Sequence, residues 1–124
     1  MRPRPCLIIV DDEVELTRAL RRVLSRYADC TPAGSMAELF SILEHDRRFD
    51  LIVTDLMMPG GSGQMIYERL QEEYPELSDR IVFMTGGAYT AELSTFVTTV
   101  DRPVIDKPID VEALIAMLYE TTEA

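Results

Sequence analysis

Asp11, Asp12 and Glu13 follow directly on the apolar run CLIIV (6–10), and Asp55 follows LIVT (51–54). Thr85 follows RIVFM (80–84), and Lys107-Pro108 follows PVID (103–106). Every side chain able to do chemistry here stands at the end of a short apolar run. Two carboxylates about 6 Å apart repel by roughly 3 kcal/mol at an effective dielectric near 20, and a third adds to this. Brought together, such a cluster holds a proton or recruits a cation. Clustered carboxylate oxygens suit a hard ion, and Mg2+ characteristically takes one or two carboxylates, several waters and a phosphoryl oxygen. A carboxylate in that setting can also attack phosphorus and become an acyl phosphate. The transferring group then needs donors for its equatorial oxygens, and a hydroxyl (Thr85) and an ammonium (Lys107) are of the type that supply them. Lys107 is the only lysine of the chain, every other basic residue being arginine. A compact, flexible ammonium rather than a planar fork is thereby singled out at that strand end.

The elements that must position these groups alternate along the chain. CLIIV is apolar throughout, as a strand buried on both faces requires. Leu16, Leu20, Val23, Leu24 and Tyr27 then recur at helical spacing, with Arg18, Arg22 and Arg26 on another face. Residues 29–33 read as a weak strand, and Pro32 places it at an edge. Ser35 with Glu38 forms a capping-box pattern before a helix carrying Met36, Leu39, Phe40 and Leu43. LIVT is the next buried strand; a glycine-rich loop (58–63) leads to a helix with Ile66, Leu70 and Tyr74, which Pro75 helps to end. After RIVFM, the β-branched stretch from Tyr89 to Thr99 predicts a short helix. PVID predicts the last strand, and Val111, Leu114, Ile115 and Leu118 mark the closing helix. Five strand–helix units in one chain of 124 residues argue for an α/β fold, an open doubly wound parallel sheet in a single domain spanning 1–124. Ligands of such sheets sit beyond the carboxyl ends of the strands, where all the candidate residues fall.

Composition bounds the partners. The net charge of −10 repels a phosphate backbone, so direct nucleic-acid binding is not expected. Cys6 and Cys30 have no metal-type spacing and predict reduced, buried thiols. No apolar run approaches membrane-spanning length, and the apolar stretch after the basic opening stops after five residues, so the expectation is a cytoplasmic chain without a membrane partner. His45, between Glu44 and Asp46, reads as a solvated residue. Gly60–Gly63 lacks a following Gly-Lys-Ser/Thr, so these glycines read as turn geometry and not a nucleotide cradle.

Taken in order, Asp11-Asp12, Asp55 with the Leu-Met-Met-Pro-Gly run, Thr85 and Lys107-Pro108 resemble the receiver domain of two-component response regulators. The resemblance covers nearly the whole chain. It implies a flavodoxin-like (βα)5 fold with strand order 2-1-3-4-5. It implies that Asp55 is the phosphoacceptor, supplied by a sensor histidine kinase or phosphotransfer protein and read by a downstream effector protein. Asp12, Asp55 and the Met57 carbonyl would bind Mg2+, with Asp11 acting through water. Lys107 would contact the phosphoryl group across a cis bond to Pro108, and Thr85 would drive the switch. Such a domain is not an enzyme toward other molecules; it catalyses only its own phosphorylation and dephosphorylation.

The chain also departs from the family pattern. Many receivers carry Tyr or Phe three residues before the lysine; here that position is Val104. Met57 and Gly87, two residues after Asp55 and Thr85, offer no side chain to orient a water, which predicts slow dephosphorylation. The Met-Thr-Gly-Gly run (84–87) looks more like receivers attached to hybrid histidine kinases. Two alternatives stand beside the main reading: a degenerate receiver acting as a protein-interaction module, and a phosphatase of the haloacid-dehalogenase type. The latter places its nucleophile in Asp-x-Asp after the first strand, whereas this chain has Asp-Asp-Glu.

Overall fold

The computed structural model describes residues 4–87 and 90–123, the last three as backbone. In chain order the elements are β1 (Cys6–Val10), α1 (Val14–Leu24), β2 (Asp29–Ala33), α2 (Met36–Leu43) and β3 (Leu51–Asp55). They continue with α3 (Gly63–Glu73), α4 (Pro75–Ser78), β4 (Ile81–Thr85), α5 (Ala91–Thr99), β5 (Val104–Asp106) and α6 (Val111–Glu123). The strands form one sheet in the order β2-β1-β3-β4-β5, every pair parallel. The flavodoxin-like order implied by the resemblance is the order observed.

Alternation along the strands divides the core into two layers. Ile8, Val10, Ile52, Ile81 and Phe83 face one side, against Leu39 and Leu43 of α2, Ile66 and Leu70 of α3, and Leu77 of α4. Leu7, Ile9, Leu51, Val53, Val82 and Met84 face the other, against Leu20 and Leu24 of α1 and Leu114 and Leu118 of α6. In-register parallel pairing, such as Leu7 with Leu51 and Ile52 with Ile81, keeps each row on its own face. A fully buried Leu or Ile contributes roughly 1.5–3 kcal/mol, so both layers are needed to hold the three-layer sandwich together.

The structure differs from the sequence pattern at several points. Val23 and Tyr27 are 49% and 41% exposed, outside the apolar stripe of α1. Val23 is rotated about 100° from Leu24 around the helix axis, and α1 ends before Tyr27, where the Tyr27 and Ala28 N–H groups both bond the Leu24 carbonyl and turn the chain into β2. Pro75 does not merely follow α3; it opens the short helix α4 from the first position, where its missing N–H costs nothing. Cys6 is half-buried, and only Cys30 is fully inside. Other expectations hold. Pro32 lies in the edge strand β2, and the Ser35 hydroxyl accepts from the Glu38 N–H at 3.1 Å. His45 is exposed. The helix expected over 89–99 is present as α5, capped by Thr90; Tyr89 itself lies outside the described residues, as do residues 1–3 of the basic opening.

Candidate functional site

Parallel strands bring the carboxyl ends of β1, β3, β4 and β5 to one rim. Asp11 follows β1, Asp55 and Thr85 are the last residues of β3 and β4, and Lys107 follows β5. The rim is held by the backbone. The Asp11 N–H bonds the Ala33 carbonyl at 3.0 Å, Leu56 N–H the Met84 carbonyl at 2.9 Å, and Lys107 N–H the Thr85 carbonyl at 2.8 Å. The Lys107-Pro108 peptide is cis, as the resemblance implies.

Three carboxylates and one ammonium converge there. Oxygens of Asp11, Asp12 and Asp55 lie within 4.8 Å of one another. Asp11 and Asp55 are buried and Asp12 is exposed. Lys107 Nζ stands 3.0 Å from Asp55 Oδ2 and 2.9 Å from Asp11 Oδ2. Asp55 Oδ1 accepts from the Met57 N–H at 3.2 Å, and Asp11 Oδ1 from the Glu13 N–H at 2.9 Å. Asp11 Oδ2 is different: it is buried and makes no aligned hydrogen bond, the ammonium being close but poorly directed. Burial alone would lower the Lys107 pKa, but its close contacts with the carboxylates of Asp11 and Asp55 outweigh this and hold it well above its ordinary value. The ammonium is therefore charged at neutral pH, yet one cation against three carboxylates leaves the cluster negative.

Thr85 reaches the rim through the backbone. It is buried, and its Oγ1 accepts from the Gly87 N–H at 3.0 Å, which leaves its own proton free to donate. Gly87 has φ +98°, a conformation that a side chain would strain. Met57 is exposed although it neighbours buried Met58, so of the two methionines only Met58 packs.

Two features were not legible as site components. Glu13 places Oε1 3.5 Å from Lys107 Nζ, a third acid at the ammonium; its place in the Asp-Asp-Glu run was the available signal. The glycine loop is only partly a matter of turn geometry. Gly60 has φ +80°, but at Gly63 a Cβ would sit 3.1 Å from the Asp55 carbonyl oxygen and 3.0 Å from Phe83. Gly63 is thus a close-approach residue that lets α3 start directly against the end of β3.

The fold and this rim define a class, and comparison with known proteins gives the same one. The response regulator receiver domain family matches residues 7–119, and the chain belongs to that family. The response regulator protein PilR of Pseudomonas aeruginosa PAO1 is 29% identical over 108 residues, covering 86% of this chain. The match takes in only 24% of PilR's own length. A response regulator receiver protein from Pseudomonas putida superposes with a TM-score of 0.81 at 27% identity, over 97% of this chain and 99% of that one. A CheY-like receiver domain protein from Methanospirillum hungatei JF-1 shares the fold with a TM-score of 0.82 at 20% identity, over 98% and 95% of the two chains. The chain is a receiver domain of two-component signalling. Family membership sets the haloacid-dehalogenase alternative aside.

Proposed function

We propose that Asp55 takes a phosphoryl group from a phosphohistidine and that the resulting acyl phosphate changes how the domain meets its partners. The observation that carries this is the clustering of Asp55, Asp11 and Asp12, with one ammonium held between Asp55 and Asp11. An Asp55 carboxylate oxygen attacks phosphorus as the P–N bond breaks. The imidazole nitrogen leaves with the bonding pair and takes up a proton. Lys107, already 3.0 Å from Asp55, donates to a phosphoryl oxygen as negative charge moves outward. The Thr85 hydroxyl donates to another.

The donor set fits a hard cation, because it is all oxygen, it is negative overall, and it includes a buried oxygen without a hydrogen bond. Asp12, Asp55 and the Met57 carbonyl would hold Mg2+ directly, and Asp11 through water. When bound, the ion supplies Lewis-acid stabilisation of phosphoryl oxygens. Asp11 is positioned by its bond to the Glu13 N–H, so its remaining oxygen stays aimed at the cluster.

The rest of the reading concerns lifetime and output. Met57 and Gly87 place no polar side chain where an attacking water would need orienting, so the phospho-form persists; a half-life of seconds would contradict this. Val104 is half-buried and offers no ring to follow Thr85. The face of α5, β5 and α6 serves as output toward an effector protein, on resemblance to the family. We read the chain as one cytoplasmic receiver domain over 1–124.

The test is intact-mass spectrometry after incubation with Mg2+ and acetyl phosphate, beside Asp55→Asn. A Mg2+-dependent gain of one phosphoryl group, absent in the variant, supports the reading. Failure of the wild type to gain it, where a control receiver is modified, favours the interaction-module alternative.

A further inference from the structure

The amino ends of the parallel strands make a second edge, opposite the rim, and a cavity of about 670 Å³ opens there. Four segments wall it: the run into β1, the start of β2, the loop before β3 and the residue before β4. Backbone bonds join these walls. The Asp29 N–H donates to the Pro5 carbonyl at 2.9 Å, Asp50 N–H to the Cys6 carbonyl at 2.8 Å, and Ile52 N–H to the Arg80 carbonyl at 2.9 Å. The loop before β3 is turned by Asp46, whose Oδ1 accepts from the Arg48 N–H at 3.0 Å. The cavity is therefore formed before any ligand arrives, as small-molecule sites usually are.

Its charge is opposite to that of the chain. Four of the twelve basic side chains, Arg4, Arg47, Arg48 and Arg80, line it in a molecule of net charge −10. Three acids stand among them, so the cavity is locally positive. A guanidinium carries several N–H donors, and few of these are used. Arg4 donates to Asp29 at 3.1 Å and to the Ser25 carbonyl at 2.6 Å, and Arg80 to the Phe49 carbonyl at 3.0 Å. Arg48 comes no closer to Asp46 than 3.5 Å. Arg47 lies 4.7 Å above the Tyr74 ring and has no ion pair or hydrogen bond among the described residues. The acids are engaged through one oxygen each, Asp29 by Arg4, Asp46 by the Arg48 N–H and Asp50 by the Cys6 N–H at 2.8 Å. The second oxygen of each is left to accept.

A ligand that answers both sets carries an anionic group for the guanidinium forks and hydroxyl or amino groups for the carboxylates. We propose that this cavity binds a nucleoside monophosphate, its phosphate on Arg47 and Arg48 and its hydroxyl and amino groups on the free carboxylate oxygens. A bare phosphate would leave most of the volume unfilled. One nucleotide meets only this local patch, whereas a nucleic acid would meet the acidic surface as a whole. β3 sets the cavity about 17 Å from Asp55, so the inference stands apart from the acceptor reading.

Titration calorimetry of the whole chain without Mg2+ tests it, with AMP and GMP compared with adenosine and inorganic phosphate. At least one nucleotide should bind more tightly than adenosine or phosphate by about tenfold or more. Arg47→Ala with Arg48→Ala, both exposed and outside the core, should weaken that binding by a similar factor. Arg69→Ala, outside the cavity, and Asp55→Asn, at the opposite edge, should leave it unchanged. Bound nucleotide should also slow alkylation of Cys6, which lines the cavity. No binding of either nucleotide at millimolar concentration, or unaltered binding by the double variant, would overturn the inference. So would phosphate binding as tightly as the nucleotides, since the cavity would then hold an anion without reading the nucleoside. Loss of binding in Asp55→Asn would place the nucleotide at the acidic rim instead.

Discussion

The two sides of the sheet are built to different standards. β3 and β4 bury all five of their residues, and β1 buries four of five. β5 has three residues, none of them buried, and α5 buries only Leu93. The well-packed side carries the acids. The sparse side carries Lys107, so the contacts of that ammonium to Asp11 and Asp55 are part of what ties the end of β5 to the centre. A nucleophile needs a fixed position, since a small misplacement costs a large factor in rate. A reporting element needs the reverse, a low cost of rearrangement. Under the proposed function, phosphorylation of Asp55 would redistribute the charge that Lys107 answers to, and the half with less buried apolar surface is the one that would respond.

Mutations in the two halves should break apart most widely. Ile52→Ala, in the centre of β3, should cost about 2–5 kcal/mol through lost burial and the cavity left behind. Val104→Ala, on half-buried β5, should cost no more than about 1 kcal/mol. Urea unfolding of both variants checks this, and equal losses would abolish the distinction.

The buried thiol of edge strand β2 predicts a pH dependence. Burial pushes the Cys30 thiol from its ordinary value near 9 up to about 11. The folded thiol therefore holds its proton more tightly than the unfolded chain does. Its contribution to stability is complete below about pH 8.5 and is lost as pH rises through about 11, amounting to about 2 kcal/mol by about pH 10.5. Unfolding at about pH 8 and about pH 10.5 should show this loss in wild type and a smaller one in Cys30→Ala; identical slopes would mean that the thiol is not protected.

A smaller effect separates the acids from their ammonium. Mg2+ at ten times its dissociation constant should stabilise by about 1.4 kcal/mol, raising Tm by about 5 °C for a domain of this size. Asp12→Asn should shrink that shift. Lys107→Ala should preserve or enlarge it, because the carboxylates stand on the dense side and lose a competing cation. Loss of the shift in Lys107→Ala would show instead that the two halves act as one unit.

Much of this arrangement was legible in the residues. Apolar runs of strand length gave four of the five strands, β2 being legible only as a weak strand, and the acids, the hydroxyl and the lysine at the strand ends gave the rim, because parallel connection sends every strand end the same way. The short helix α4 was not legible, since a proline after a helical run signals an ending and an opening alike. Tyr27 was misplaced because periodicity continued past the turn at which α1 stops.

Local pattern determined which segments became strands and helices and which side chains stood at the rim. Only the tertiary structure decided that Glu13 joins the ammonium, 94 positions away in sequence, and that one oxygen of Asp11 is left without an aligned partner. It also decided that Gly63 is required by the approach of α3 to Asp55, and that Arg18, Arg21 and Arg22 of α1 form no ion pair among the described residues. The reason is physical. Hydrophobic periodicity is a property of neighbours along the chain, whereas pairing, close approach and desolvation depend on where strands distant in sequence come to lie beside one another.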